Sequence, residues 1–182
     1  MTHHTTRGGI LACAAGIALL ATGCHVYKPN SPTPSTDAAK ALQQLRALPS
    51  LEDTKMQVQN AMDEITTAAS LVISSLVWLP VHGETPGNCE APYAQTDGKR
   101  LFLPDLEAAA AQVSEPDWQN ILAAAQRSAA KIGATDTQVM QDGPANHDVG
   151  FYGPTGIFIK IAYQGNLIVS GYTGCRLPLN TK

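Results

Sequence analysis

The sequence predicts an α+β domain: N-terminal helices, then a C-terminal antiparallel β-meander packed on them, with one disulfide. Three observations predict it. Two long apolar stripes recur at helical spacing, the hydrophobic period changes to two after about residue 136, and an exported chain is left with two unassigned cysteines.

The N-terminus reads as an address. Residues 1–9 carry Arg7 and no acid, and Ile10–Ala21 form an apolar run. That run is shorter than the roughly 20 residues of a bilayer span, and its layout is that of an export signal. Ala21-Thr22-Gly23 directly before Cys24 resembles the bacterial lipobox, in which diacylglycerol is attached to the thiol and the signal is cut before it. Gly23 and Cys24 fit well; Ala21 stands where leucine is commoner. Cys13 competes, but only three apolar residues precede it. The rival reading is an ordinary cleaved signal with an incidental cysteine. The expected signal is therefore 1–23, with lipidation at Cys24 by acyl chains of the palmitate type. One acyl chain gives marginal membrane residence, whereas two or three hold a protein stably. Removal of residues 1–23 takes away Arg7 alone and leaves an acidic mature chain, so the lipid rather than surface charge must do the holding.

Residues 24–36 are the expected lipidated cysteine and linker. Pro29, Pro32 and Pro34 among Ser, Thr and Asn cannot bury a core and favour extended geometry. A ligand for a proline-recognition domain is the alternative use of such a segment. The single folded domain is expected over 37–182.

Ser35 or Thr36 caps a first helix through Leu48, with Ala38, Leu42 and Leu45 on one face and Pro49 ending it. Ser50-Leu51-Glu52-Asp53 is a capping box opening a second helix, whose stripe is Val58, Met62, Ile65, Ala69, Val72 and Leu76. The β-branched run beyond it suggests a strand from near Leu76. Thr85-Pro86-Gly87-Asn88 reads as a turn, Leu101–Leu103 as a short strand, and Asp105–Val113 is ambiguous. Ser114-Glu115-Pro116-Asp117 opens the clearest helix, with Trp118, Ile121, Leu122, Ala125, Ala129 and Ile132 at helical spacing and Gly133 as the stop. Strands follow at Thr137–Gln141 and His147–Tyr152, joined by a turn at Asp142-Gly143-Pro144. After a turn at Gly153–Gly156, Ile157, Ile159, Ile161 and Tyr163 alternate with Phe158, Lys160 and Ala162. Gly165-Asn166 suits a type II′ hairpin returning through Leu167–Tyr172.

With Cys13 cleaved away and Cys24 acylated, Cys89 and Cys175 remain and are expected to pair. A structural bridge closing so long a loop contributes roughly 4–5 kcal/mol. A redox pair is the alternative, with no C-x-x-C and only Arg176 as a basic neighbour.

Lys131-Ile132-Gly133-Ala134-Thr135, Asp148-Val149-Gly150 and Gly171-Tyr172-Thr173-Gly174-Cys175, together with the layout of Trp78, Cys89 and Cys175, resemble the mycobacterial lipoproteins of the LppA/LppV group. The resemblance covers about 76–178 plus the lipobox. It implies a membrane-anchored envelope protein with no established activity, so it transfers no site.

Composition and motifs exclude several classes. A net charge of −3 with no basic run argues against nucleic-acid binding, the 44% apolar content against disorder, and the 5% aromatic content against a stacking platform. Catalysis lacks parts: there is no G-x-S-x-G, Ser170-Gly171 lies in a predicted strand, and only His25, His82 and His147 survive cleavage. His147 and Asp148, as strand neighbours, point to opposite faces, and His147 is expected to be solvated. Asp136, Asp142, Asn146 and Asp148 lack calcium-loop spacing, and glycines 150, 153, 156 and 165 do not form a dinucleotide fingerprint, so neither metal nor cofactor is expected. The leading expectation is a non-catalytic interaction or structural module on the extracytoplasmic face of the cell membrane, partnered with the membrane and with envelope proteins or lipid. The alternative is a carrier or sensor of an apolar small molecule or lipid, in space left by Ala123, Ala124, Ala125, Ala129 and Ala130.

Overall fold

The period-two segments join one antiparallel sheet, and the helical stripes cover one of its faces, in the computed structural model, which describes residues 35–182. Cys24, the signal and the expected linker up to residue 34 lie outside the described residues. The elements are helices α1 (Ser35–Ala47), α2 (Leu51–Val72) and α3 (Glu115–Lys131), and strands β1 (Trp78–Val81), β2 (Thr85–Asn88), β3 (Lys99–Phe102), β4 (Asp105–Ala108), β5 (Asp136–Gly143), β6 (Asn146–Tyr152), β7 (Phe158–Gln164) and β8 (Asn166–Tyr172). Ser35 and Thr36 are within α1, so the helix takes in the last two residues of the expected linker.

Local chemistry explains where the longer helices start. The Ser50 hydroxyl accepts the Asp53 N–H at 3.0 Å and donates to the Asp53 carboxylate at 2.7 Å. Such a cap contributes about 1 kcal/mol by satisfying an amide that the helix cannot pair internally. Ser114 repeats the arrangement with Asp117 at the start of α3, and Pro116 occupies the first turn. Helix α3 stops after Lys131, with Gly133 at φ 80° in the left-handed region.

The sheet runs β1-β4-β8-β7-β6-β5. The C-terminal meander is the one the sequence predicts. The short strands that precede α3 are added to the free edge of β8: β4 pairs through Leu106↔Val169 to Ala108↔Leu167, and β3 through Phe102↔Tyr172. β2 then pairs with β3 alone, which corrects the turn expected at Thr85–Asn88. Proline is tolerated on such an edge because one side of the strand has no ladder to complete. The ambiguous segment after Leu103 resolves into β4. The β5–β6 turn sits later than expected, closing through Gly143↔Asn146. At the β7–β8 turn, Gln164 pairs with Asn166 and leaves Gly165 alone at the tip, in place of the two-residue turn predicted.

Val58, Met62, Ile65 and Ala69 from α2 and Trp118, Ile121, Ala125 and Ala129 from α3 pack on Val149, Phe151, Ile159, Ile161, Leu167 and Val169. Val72 continues the α2 stripe but is 37% exposed, at the helix end. A second cluster of Leu45, Cys89, Cys175 and Leu177 fastens α1 to the chain's C-terminal segment. Strand alternation turns Asp148, Lys160, Ile168 and Tyr172 to the other face. Among the described residues, no helix is long and apolar enough to cross a membrane.

Candidate functional site

The two expected partners are bonded. Cys89, after β2, and Cys175, after β8, form a disulfide. Around it the backbone is tied independently: Lys99 and Arg176 exchange N–H···O bonds of 2.8 and 2.9 Å, and the Leu51 N–H donates to Leu177 O at 2.8 Å. Both sulfurs are buried against Leu45 and Leu177. Thiol–disulfide exchange requires an attacking thiolate to reach a sulfur, and this packing restricts that access.

Beside the bond lies a buried cation. Arg176 is 3% exposed and has only neutral partners among the described residues. Its Nε donates to Thr54 Oγ1 at 3.1 Å, Nη1 to the carbonyls of Thr155 and Cys175, both at 2.8 Å, and Nη2 to Thr155 Oγ1 at 2.9 Å. Burial lowers its pKa to about 10, since the charged form is poorly solvated there. Thr54 is positioned by donating its own hydroxyl to Ser50 O at 2.7 Å, which links the α2 cap to the C-terminal segment.

On the face opposite α2 and α3, Tyr152, Phe158, Tyr172 and Phe102 form a row across β6, β7, β8 and β3, with successive centroids 4.6, 4.6 and 5.3 Å apart. Arg100 lies at its end, 5.8 Å from the Tyr172 ring centroid and 5.9 Å from that of Phe102, within cation–π range. Burial raises the Tyr172 phenol above its usual pKa. Next to this row opens a cleft of about 410 Å³, lined in part by Tyr93, Arg100, Thr155, Tyr172 and Cys175. Its floor depends on a close approach of two turns. A Cβ on Gly174 would lie 2.6 Å from the Gly156 carbonyl oxygen, and Gly174 has φ +67°.

His147 is placed differently from the sequence expectation. It is 4% exposed rather than solvated, and its ring stacks on Trp118 with centroids 4.5 Å apart and planes 9° from parallel. Its Nδ1 meets Asp142 Oδ1 at 3.2 Å and its Nε2 meets Glu115 Oε1 at 3.2 Å. Asp148 is on the other face, paired with Lys160 at 3.4 Å. The missed partners are five residues away on the paired strand and at the first turn of α3. His147 thus joins the β5–β6 hairpin to α3, with both ring nitrogens engaged. Glu115 also accepts the Ala145 N–H at 3.1 Å; that bond, then the one to His147, lowers its pKa.

His82 is an exposed loop residue at φ 62°. Among the described residues, no group of three or more His, Cys, Asp or Glu side chains is arranged to hold a metal. Ala125 and Ala129 are fully buried in the helix–sheet seam, and Ala130 is exposed. Hollows of about 820 and 800 Å³ lie instead beside the C-terminal segment, at Leu51 and Pro178, and on the outer surface of α2 and α3, at Glu64, Arg127 and Lys131.

A family model named LppA, described as "Lipoprotein confined to pathogenic Mycobacterium", matches residues 26–179. No curated protein sequence matches the chain. Among solved structures, the chain is similar to the lipoprotein LppA from Mycobacterium tuberculosis, with 18% identity, a TM-score of 0.65, and coverage of 80% of this chain and 90% of that one. It is also similar to a DUF4853 family protein from Actinomyces odontolyticus, with 14% identity, a TM-score of 0.52, and coverage of 76% and 74%. At these identities the likeness shows the fold alone.

Proposed function

The chain belongs to the LppA family of lipoproteins, and from that premise we propose that it is a non-catalytic interaction module held to the extracytoplasmic face of the cell membrane by a lipid on Cys24. The observation that carries the anchor is positional. Cys24 follows Ala21-Thr22-Gly23 and an apolar run, and the family match begins two residues later, at 26. A lipid there, followed by a proline-rich spacer, presents the domain at a distance from the bilayer.

The module reading is supported by how the interior polar groups are used. His147 has both ring nitrogens against carboxylates, and Arg176 spends its donors on Thr54, Thr155 and Cys175. Neither is left free beside a nucleophile. The seam where a carried apolar molecule would sit contains Ala125 and Ala129 at 0% exposure, so the small side chains serve close packing. The sheet face opposite α2 and α3, with Ile168 and Tyr172, is the surface offered to a partner.

Fractionation of cells expressing Cys24→Ala tests the anchor: the chain is expected to leave the membrane fraction, and retention there overturns the assignment. In the same cells, a photoreactive residue at position 168 is expected to yield a covalent adduct with another envelope protein. A chain that stays unadducted overturns the module reading.

A further inference from the structure

We propose that the cleft beside the disulfide binds a phosphate ester, with the Arg100 guanidinium gripping its phosphoryl oxygens and the Tyr172 ring bordering its carbon portion. The site differs from the lipid anchor and needs no acyl group on Cys24.

The first support is an unused donor set held in place. Among the described residues the Arg100 side chain makes no hydrogen bond; its Nε has no partner although it is buried. Its paired carboxylate, Glu90, stands 3.8 Å away on a side chain 78% exposed, beyond hydrogen-bond distance and open to water. The rings of Tyr172 and Phe102 nevertheless orient the guanidinium, whose planar fork matches phosphate or carboxylate oxygens in a bidentate manner.

The second support is charge. Arg176 lies behind the cleft wall and donates to Thr155 and Cys175, both of which line the cleft, with no carboxylate among the described residues to neutralise it. The Arg100 guanidinium thus lines the cleft with the exposed Glu90 carboxylate, and Arg176 adds a second positive charge behind the wall, in a chain whose net charge is −3. Such a concentration of positive potential in a walled concavity attracts anions more strongly than the same charges on an open surface. The volume, about 410 Å³, suits a headgroup-sized molecule rather than a pair of acyl chains. A soluble ester and the headgroup of a phospholipid offer the same chemistry.

Arginine footprinting with phenylglyoxal on the full chain distinguishes these sources. In phosphate-free maltoside detergent, glycerol 3-phosphate is expected to slow modification of Arg100 about fivefold, leaving the exposed Arg46 and Arg127 unaffected. The second arm compares proteoliposomes of phosphatidylglycerol with those of digalactosyldiacylglycerol, which lacks phosphate. Protection in the first arm assigns a soluble ester, and protection only with phosphatidylglycerol assigns a lipid headgroup. No protection of Arg100 in either arm, or equal slowing of Arg46 and Arg127, overturns the proposal. The Arg100→Gln chain, checked for an intact Cys89–Cys175 bond, is expected to bind labelled glycerol 3-phosphate or phosphatidylglycerol about tenfold more weakly. Unchanged binding overturns the role given to Arg100.

Discussion

Reduction of the Cys89–Cys175 bond is the perturbation whose size follows most directly from the structure. The bond links residues 86 apart in sequence. In the chain-entropy treatment, releasing a loop of that length restores freedom to the unfolded chain worth about 4.5 kcal/mol at room temperature. The folded state loses less, because Lys99 and Arg176 remain paired through two backbone hydrogen bonds and Leu45 and Leu177 still pack around the thiols. Reduction should therefore leave the far-ultraviolet circular dichroism unchanged below the transition and shift the transition itself. A domain of this size gains roughly 0.3 kcal/mol/K of unfolding entropy, which translates the loop term into a fall in Tm of about 15 °C. The assay is a thermal melt of the full chain with and without a phosphine reductant, with thiol counting to show that the bond has opened. A fall of less than about 4 °C would refute the reasoning, since the unfolded ensemble would then be restrained by something other than the bond. A loss of secondary structure before heating would refute it differently, by showing that the local pairing does not hold alone.

Two further outcomes test the packing and the electrostatics. Gly171→Ala places a Cβ 2.7 Å from Val58 Cγ1 and 3.0 Å from Met62 Sδ, so α2 must lift from β8 at a cost of about 1–3 kcal/mol; a denaturation midpoint equal to that of the parent chain would show that α2 is not seated there. Glu115 has a depressed pKa because of the Ala145 N–H and then His147, so its contribution is present above the ordinary glutamate range and is lost as pH falls through the folded-state value. Urea unfolding of Glu115→Gln should accordingly differ from the parent near neutral pH and converge with it in acid, whereas a pH-independent difference would remove Glu115 from the account.

Much of the architecture is written in short-range chemistry. Ser50 and Ser114 mark helix starts because a hydroxyl can satisfy an amide within three residues, and the stripes of α2 and α3 repeat with the helical period. The meander is legible because alternating strands bury one face. Thr85–Asn88 was not legible as a strand: its composition favours turns, and it is held extended by β3, a partner whose own place depends on β8. His147 misled for the same reason. Its carboxylates come from Glu115 and Asp142, and no local pattern announces that a hairpin will fold back onto the first turn of a helix. The disulfide followed from counting cysteines, whereas the cleft beside it did not. Arg100 lies in a short strand, Arg176 follows the last one, and only pairing through Lys99 makes them neighbours.

Strand β8 is the last strand to be made, yet it stands inside the sheet, with β7 on one side and β4 and β3 on the other. As the chain is made, β3 and β4 therefore precede the neighbour that joins them to the meander. Residues 78–108 can form only the β1–β4 and β2–β3 pairs until residues 166–172 are in place. Pairings this distant in sequence form slowly. The delay means that the early strands and the meander are joined into one sheet in a single late step, by a strand far along the sequence.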